Sequence, residues 1–345
     1  MFSKNLKYYR LKVGLTKKAL AEASGLTPMA ITHYEAGDRK PGMDSLMALA
    51  AALGVGLADL LRRRNAALSF EHGDFRKNAS MSASAQELVR ESVEEHFGRF
   101  YDVLECLGGD VLPDAPECGA MPVTGDAEVD AAAIRRHLGI ELVGPVPDLV
   151  GVLENRGILF MVLEGADERF SGMNGFVDGR PYVVVNASMS PERNRSTIAH
   201  EVAHLVFDWN GVEGKAQEDH ATAVSGAFLL PAADAVRELG VRRRAITRDM
   251  EIVAREYGVS MMLLAKRANL AGIVSDSAYK SFCIAASKHG WRKNEPSRID
   301  PEKPELFEQL VYRAVCEDDM SVQRGAELLG RTYEEVAYEC ELYGA

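Results

Sequence analysis

Apolar positions along the first sixty residues recur in short bursts broken by glycine. Leu6, Tyr9, Leu11 and Leu15 predict one short helix with an apolar face. Gly14-Leu15-Thr16 supplies a turn, and Thr16 is placed to cap a second helix over 17–23 with Leu20 and Ala21 inward. Gly25-Leu26-Thr27 is the next tight turn. Thr27 caps a third helix whose first position, Pro28, lacks only an N–H that would be unpaired anyway. Ile31 and Tyr34 face inward there, and Gly37 ends it. Asp44 is expected to cap a fourth helix carrying Leu46, Leu49 and Leu53. Two short helices joined by a glycine turn make a helix-turn-helix, which sets the N-terminal end of its second helix into a DNA major groove.

Periodicity is lost over 62–85, where NASMSASAQ reads as a linker. From Glu87, the series Leu88, Val93, Phe97, Phe100, Leu104 and Leu107 predicts an amphipathic helix of about five turns. Its apolar face suits either a second copy of the chain or the chain's own body. Residues 108–126, rich in Gly and Pro, read as a second loop. Further on, PYVVVNAS predicts an edge strand and NRSTIAHEVAHLVFDW a helix with Ile198, Val202, Leu205 and Val206 apolar. QEDHATAVSGAFL predicts another helix before Pro231. In the polar loop HGWRKNEPSRIDPEKPE, Trp291 and Arg292 can either gate a cleft or anchor the loop. LFEQLVYRAVC and two short helices about a glycine follow, and their acidic surroundings favour packing over DNA contact.

Length and composition narrow the class. At about 150 residues per domain, 345 residues imply two or three domains. The chain is 47% apolar and 26% charged, ordinary for a globular protein. No apolar run is long enough to cross a membrane. MFSKNLKYYRLK is basic but precedes no apolar stretch, so no secretion signal is expected and a cytoplasmic location is the default. The five cysteines are scattered with no C-x-x-C pair, which predicts reduced, mostly buried thiols rather than disulfides or a cysteine zinc site. The net charge of −11 hides an asymmetry. Residues 1–64 hold eleven bases and five acids, a balance of +6, whereas the remaining 29 bases and 46 acids give −17. A cationic module on an anionic body points to a polyanion partner for the module alone.

The chemistry lies at His200-Glu201-Val202-Ala203-His204. Helix positions four apart lie on one face, so two imidazoles there can bind one Zn²⁺. Glu201 sits beside them, placed to take a proton from a water that the metal acidifies. A catalytic site of this kind needs a third protein ligand. Spacing leaves Glu218 and His220 both open for it.

Two resemblances extend this reading. The stretch from LKYYRLKVGLTKKALAEASGLTPMAITHYEAGDRKPG to ALAAALGV, over about 4–61, resembles the Xre/Cro type of helix-turn-helix regulator. That resemblance implies double-stranded operator DNA as partner and a homodimer on a two-fold site. It places Lys17, Thr27, Pro28, Met29, Thr32 and His33 at DNA-facing positions, with Arg39 and Lys40 beside phosphates. Lys17 stands where a glutamine is common and Pro28-Met29 replace polar readers, so methyl contacts or DNA shape carry more of the specificity. NRSTIAHEVAHLVF followed by EDHATAVSGAFLLP is similar to the ImmA/IrrE zinc metallopeptidases, with similarity over about 128–275. This second resemblance implies a zincin-like fold, His200, His204 and Glu218 as zinc ligands, and Glu201 as general base. Ala203 in place of a usual glycine, and Thr222-Ala223-Val224 in place of a more polar, aromatic-ending stretch, depart from that family.

The expected architecture is multidomain. An all-α helix-turn-helix DNA-binding head occupies 1–64, and a linker with a dimer-type helix 65–126. An α+β zincin-like metallopeptidase body spans 127–275, and a small helical C-terminal tail 276–345. The expected function is a cytoplasmic transcriptional regulator with a Zn²⁺-dependent endopeptidase, cleaving a repressor, an antitoxin or itself under stress. The alternative is a DNA-binding repressor whose peptidase-like domain is inactive and serves as a sensor or dimerisation module.

Overall fold

A computed structural model describes residues 2–62, 67–73, 81–109, 111–291 and 294–342. The head consists of α1 (Phe2–Lys12), α2 (Lys17–Ser24), α3 (Pro28–Ala36), α4 (Met43–Leu53) and α5 (Leu57–Leu61). Thr16 and Thr27 cap α2 and α3, their side chains accepting from the N–H groups of Ala19 and Ala30 at 3.1 Å. Gly25 and Gly37 end the same helices in the left-handed region, at φ 68° and 81°, where a Cβ would be strained. The fourth helix departs from expectation: Gly42 occupies its cap without a side-chain bond, and Asp44 lies in the first turn. Leu6, Leu20, Ile31, Leu49 and Leu60 are fully buried and form the head's own core.

The remaining elements are β1 (Phe70–His72), α6 (Ala83–Cys106), β2 (Met121–Pro122), α7 (Ala127–His137), α8 (Leu149–Glu154), β3 (Leu159–Leu163), β4 (Gly172–Val177), β5 (Arg180–Asn186), α9 (Pro191–Val206), β6 (Phe207–Asp208) and α10 (Gly214–Leu229). There follow α11 (Ala232–Leu239), α12 (Asp249–Glu256), α13 (Met261–Leu270), α14 (Asp276–Lys288), α15 (Leu306–Cys316), α16 (Val322–Leu329) and α17 (Tyr333–Glu341). The main sheet has the order β1-β4-β5-β3. β4 and β5 form a hairpin through Asp178 and Gly179, both at positive φ, as a two-residue hairpin turn demands. β3 runs parallel to β5.

PYVVVNAS is therefore an inner strand, not the expected edge, because β5 lies between β4 and β3. Its unbroken apolar run fits that place, with residues 181–186 buried on both faces. Alternation sorts the strand residues into two cores. Phe160, Val183 and Val185 face α7, α9 and α10, whereas Leu159, Met161, Tyr182 and Val184 face α6 and α15–α17.

Four further expectations change here. The stretch 62–85 is not wholly a linker, since β1 within it pairs with β4 and α6 begins at Ala83; residues 74–80 lie outside the described residues. The apolar face of α6 is spent inside the chain, with Val93, Phe97 and Phe100 buried against the sheet and α15, so that face does not serve a second copy. The helical tail shares this core, so a boundary at 275 divides residues that pack together. The thiols also differ from expectation: Cys340 is buried, Cys118 and Cys283 are half-buried, and Cys106 and Cys316 are exposed near helix ends, all without disulfides. Among the described residues, no helix is long and apolar enough to cross a membrane.

The head sits on α6 through α1 and through Arg62, just after α5. Lys4 Nζ lies 2.8 Å from Glu94, and Lys7 Nζ lies 2.6 Å from Glu87 and 3.2 Å from Glu91. Arg62 pairs with the buried Glu95. The recognition-type helix α3 is not part of this contact and keeps Met29, Thr32 and His33 exposed.

Candidate metal centre

Ser190 and Pro191 start α9 with a capped first turn, Ser190 Oγ accepting from Arg193 N. The apolar stripe Ile198, Val202 and Leu205 then presses α9 into the core beneath the sheet. This rotation sets His200 and His204 toward α10, which packs closely on α9 and carries Glu218. The two Nε2 atoms of His200 and His204 lie 3.0 Å apart. Glu218 Oε2 is 3.6 Å from His200 Nε2, and Glu218 Oε1 is 3.5 Å from His204 Nε2. A tetrahedron with bonds of ~2.0–2.1 Å has edges of about 3.3 Å, so these three donors fit one Zn²⁺ and leave a fourth direction open. Among the described residues, this is the one group of three metal-ligating side chains whose donor atoms converge.

Neighbouring polar groups hold the histidines from behind. Thr222 Oγ1 lies 3.4 Å from His200 Nδ1, and the Gln217 carboxamide lies 3.4 Å from His204 Nδ1. Such partners fix the ring and aim Nε2 at the metal position. Trp209 packs on His204 with ring centroids 5.4 Å apart. Glu201 Oε2 accepts a 2.7 Å bond from Asn174 Nδ2 on β4, which orients the carboxylate from the sheet side. His220, one of the two candidates that spacing left open, is turned elsewhere. Its Nε2 lies 2.7 Å from Asp130, a fully buried carboxylate that also accepts from Thr124 Oγ1 at 2.7 Å.

Two family models match separate parts of the chain. Residues 6–60 match the helix-turn-helix family, and residues 154–269 match the IrrE N-terminal-like domain, a peptidase family. The chain joins a helix-turn-helix head to an IrrE-like peptidase domain. A 62-residue stretch is 40% identical to the uncharacterized HTH-type transcriptional regulator YqaE of Bacillus subtilis (strain 168), covering 18% of this chain and 53% of that protein. The chain thus matches about half the length of that curated relative.

In the helix-turn-helix head, the DNA-facing candidates are all exposed, but several are already engaged. Lys17 Nζ lies 3.4 Å from Glu35, which also holds Arg10. The Thr27 hydroxyl caps α3, the Thr32 hydroxyl donates to Pro28 O at 3.0 Å, and His33 Nδ1 faces Asp38 at 3.2 Å. Pro28, Met29, Arg39 and Lys40 are exposed.

Sequence patterns did not single out Asn174, Gln217 and Thr222 in the IrrE-like domain, or Asp130 on α7 ahead of it. Thr222 carried a signal, since it lies four residues after Glu218 on the same helix face. Asn174 carried none, because strand pairing alone brings it to α9. Trp291 anchors its loop by packing on Phe282 and His289, with centroids 5.8 and 5.9 Å apart. Arg292 lies outside the described residues.

Proposed function

We propose that this chain is a DNA-binding transcriptional regulator whose IrrE-like domain is a zinc-dependent endopeptidase, cleaving a repressor, an antitoxin or itself in response to stress. The observation that carries this reading is the convergence of His200, His204 and Glu218 beside a Glu201 held by Asn174. His200, His204 and Glu218 would hold the ion. Zn²⁺, when bound, supplies Lewis acidity and brings a water into the range where it deprotonates near neutral pH. Glu201 takes the proton of the attacking water and passes it to the leaving amine. Asn174 keeps its carboxylate aimed during both transfers. A purely structural zinc site needs no such base, which favours the enzyme over an inactive sensor or dimerisation module.

DNA recognition belongs to α3 and the basic residues after it, with double-stranded operator DNA as the partner. Arg39 and Lys40 contact phosphates, so Arg39→Ala with Lys40→Ala weakens binding evenly across sequences and flattens its salt dependence. A two-fold operator implies a homodimer, formed through a surface other than the apolar face of α6.

Metal content decides the central point. Protein purified without added zinc is expected to carry about one zinc per chain. His204→Ala is expected to lose it, whereas Glu201→Gln keeps both metal and operator binding and abolishes cleavage. A Glu201→Gln variant that still cleaves would overturn the assigned base. Wild type that takes up no zinc even on soaking would leave the DNA-binding regulator with an inactive domain.

A further inference from the structure

We propose that residues 69–73 are an internal competitor for the peptide-binding edge of this domain. They occupy the outer side of β4 up to Asn174, so an extended peptide can pair there only after they leave. This rests on the peptidase reading above and specifies how access to that site is controlled.

The sheet of the body ends at β4 apart from this short segment. β1 pairs antiparallel with it in the register Phe70 with Val177, Glu71 with Phe176 and His72 with Gly175. Gly73 N then donates to Asn174 O at 2.8 Å. Asn174 is the residue whose side chain holds Glu201. A sheet edge beside a catalytic carboxylate is where an extended peptide gains main-chain bonds and a fixed direction. Here the chain fills that position itself. The fit is close: a Cβ on Gly73 would lie 2.5 Å from Asn174 O, so only glycine can pass there.

The segment is held by hydrogen bonds along β4, by His72 and by the packing of Phe70 on the core under α6. Asp178 N donates to Ser69 O at 2.9 Å, and Ser69 returns bonds to Asp178 Oδ1 from its N–H and hydroxyl at 2.7 and 3.0 Å. His72 Nδ1 lies 2.7 Å from Tyr182 Oη. Phe70 and His72 are half-buried and Glu71 is exposed. A three-residue strand at a sheet edge sits at the low end of local stability, so it opens without global unfolding. Covalent attachment holds it near the edge at an effective concentration of order millimolar, enough to exclude a free peptide of modest affinity. One acid also ties it to the head: Glu94 on α6 faces His72 Nε2 at 3.5 Å and Lys4 of α1 at 2.8 Å.

Two measurements on the full chain test this. In an antiparallel ladder every second residue bonds to the partner, so Glu71 belongs with Ser69 and Gly73, and Glu71→Pro removes the central donor without touching β4. The probe is a fluorescein-labelled peptide with the sequence of residues 67–73, ALSFEHG. It is expected to bind Glu71→Pro at least ~10-fold more tightly than wild type in an anisotropy titration. Equal binding to both overturns the proposal. The second measurement needs no variant. The Phe176 amide, which faces β1, is expected to exchange with solvent about 100-fold faster than that of Val184 inside the sheet. Equal exchange would make β1 a permanent strand and overturn the proposal even if Glu71→Pro fails to fold. Neither readout involves zinc or cleavage, so failure of the peptidase reading leaves these results standing.

Discussion

At the residue scale, the groups that matter most here are those whose polar atoms leave water. His96 on α6 is half-buried, and desolvation, reinforced by the Arg99 charge, holds its imidazole down at about 4 instead of 6.5. The unfolded chain binds that proton more readily than the folded one. Its contribution is therefore complete above pH 6.5 and is lost as pH falls toward 4. The difference is of order 3 kcal/mol. Urea melts of wild type and His96→Leu at pH 7 and pH 4.5 are expected to show the smaller acid loss in the variant. An equal loss in both would mean His96 does not sense pH. Thr222 supports His200 from behind the proposed zinc position. Thr222→Val is expected to lower zinc affinity by about 10-fold in competition with a chelating dye, with little change in melting temperature. A role only in packing would reverse that pattern.

At the scale of elements, helices were legible where one stripe does one job. The glycines and threonines around α2 and α3 fix their ends by local geometry, and the stripe of α6 needs only the 3.6-residue repeat. Strands were less legible. An apolar run such as Val183-Val184-Val185 is the same whether it borders water or lies between β4 and β3, and only pairing decides. β1 was invisible because three residues carry no period. The two-faced burial of the sheet makes α6 a structural keystone as well as the seat of the head. Phe97, fully buried against Tyr182 with centroids 4.9 Å apart, is expected to cost about 3–5 kcal/mol when changed to Ala. Denaturant midpoints read this directly, and a loss under about 1 kcal/mol would show that the layer between α6 and the sheet is loosely packed.

At the scale of the molecule, a basic head rests on an acidic helix by ion pairs of unequal depth. Lys4 is well exposed, and its pair with Glu94 is worth little in salt. Arg62 and Glu95 are both largely buried; Glu95 also accepts from Arg99 at 2.7 Å, so removing Arg62 takes away the one of its two cationic partners that belongs to the head. Small-angle scattering is expected to show a larger radius for Arg62→Met at 0.15 M salt, whereas Lys4→Met stays compact. If both behave as wild type, apolar contacts hold the head. Acid acts on the same junction. Hydrogen bonding from His72, then from Lys4, pulls the Glu94 carboxyl down from 4.5 to about 2. Its contribution is present above pH 4.5 and fades as pH falls toward 2. Because α3 lies outside the junction, a docked head still presents its recognition surface, and DNA binding need not await undocking.

The sequence by itself determined what depends on near neighbours in the chain. This includes the capped helices of the head, the two imidazoles one turn apart on α9, the apolar stripe of α6 and the split in charge. Each follows from spacing of a few residues, where geometry is set by the backbone repeat. The resemblance to zinc peptidases brought in Glu218, and spacing alone left it level with His220. Only the tertiary structure brought Glu218 to the two histidines and turned His220 to Asp130, because the approach of α10 to α9 and α7 is a packing outcome. It also decided that Asn174 reaches Glu201 and that residues 70–72 join the sheet. Those contacts join positions 27 to more than 100 residues apart, a range over which no local pattern carries information.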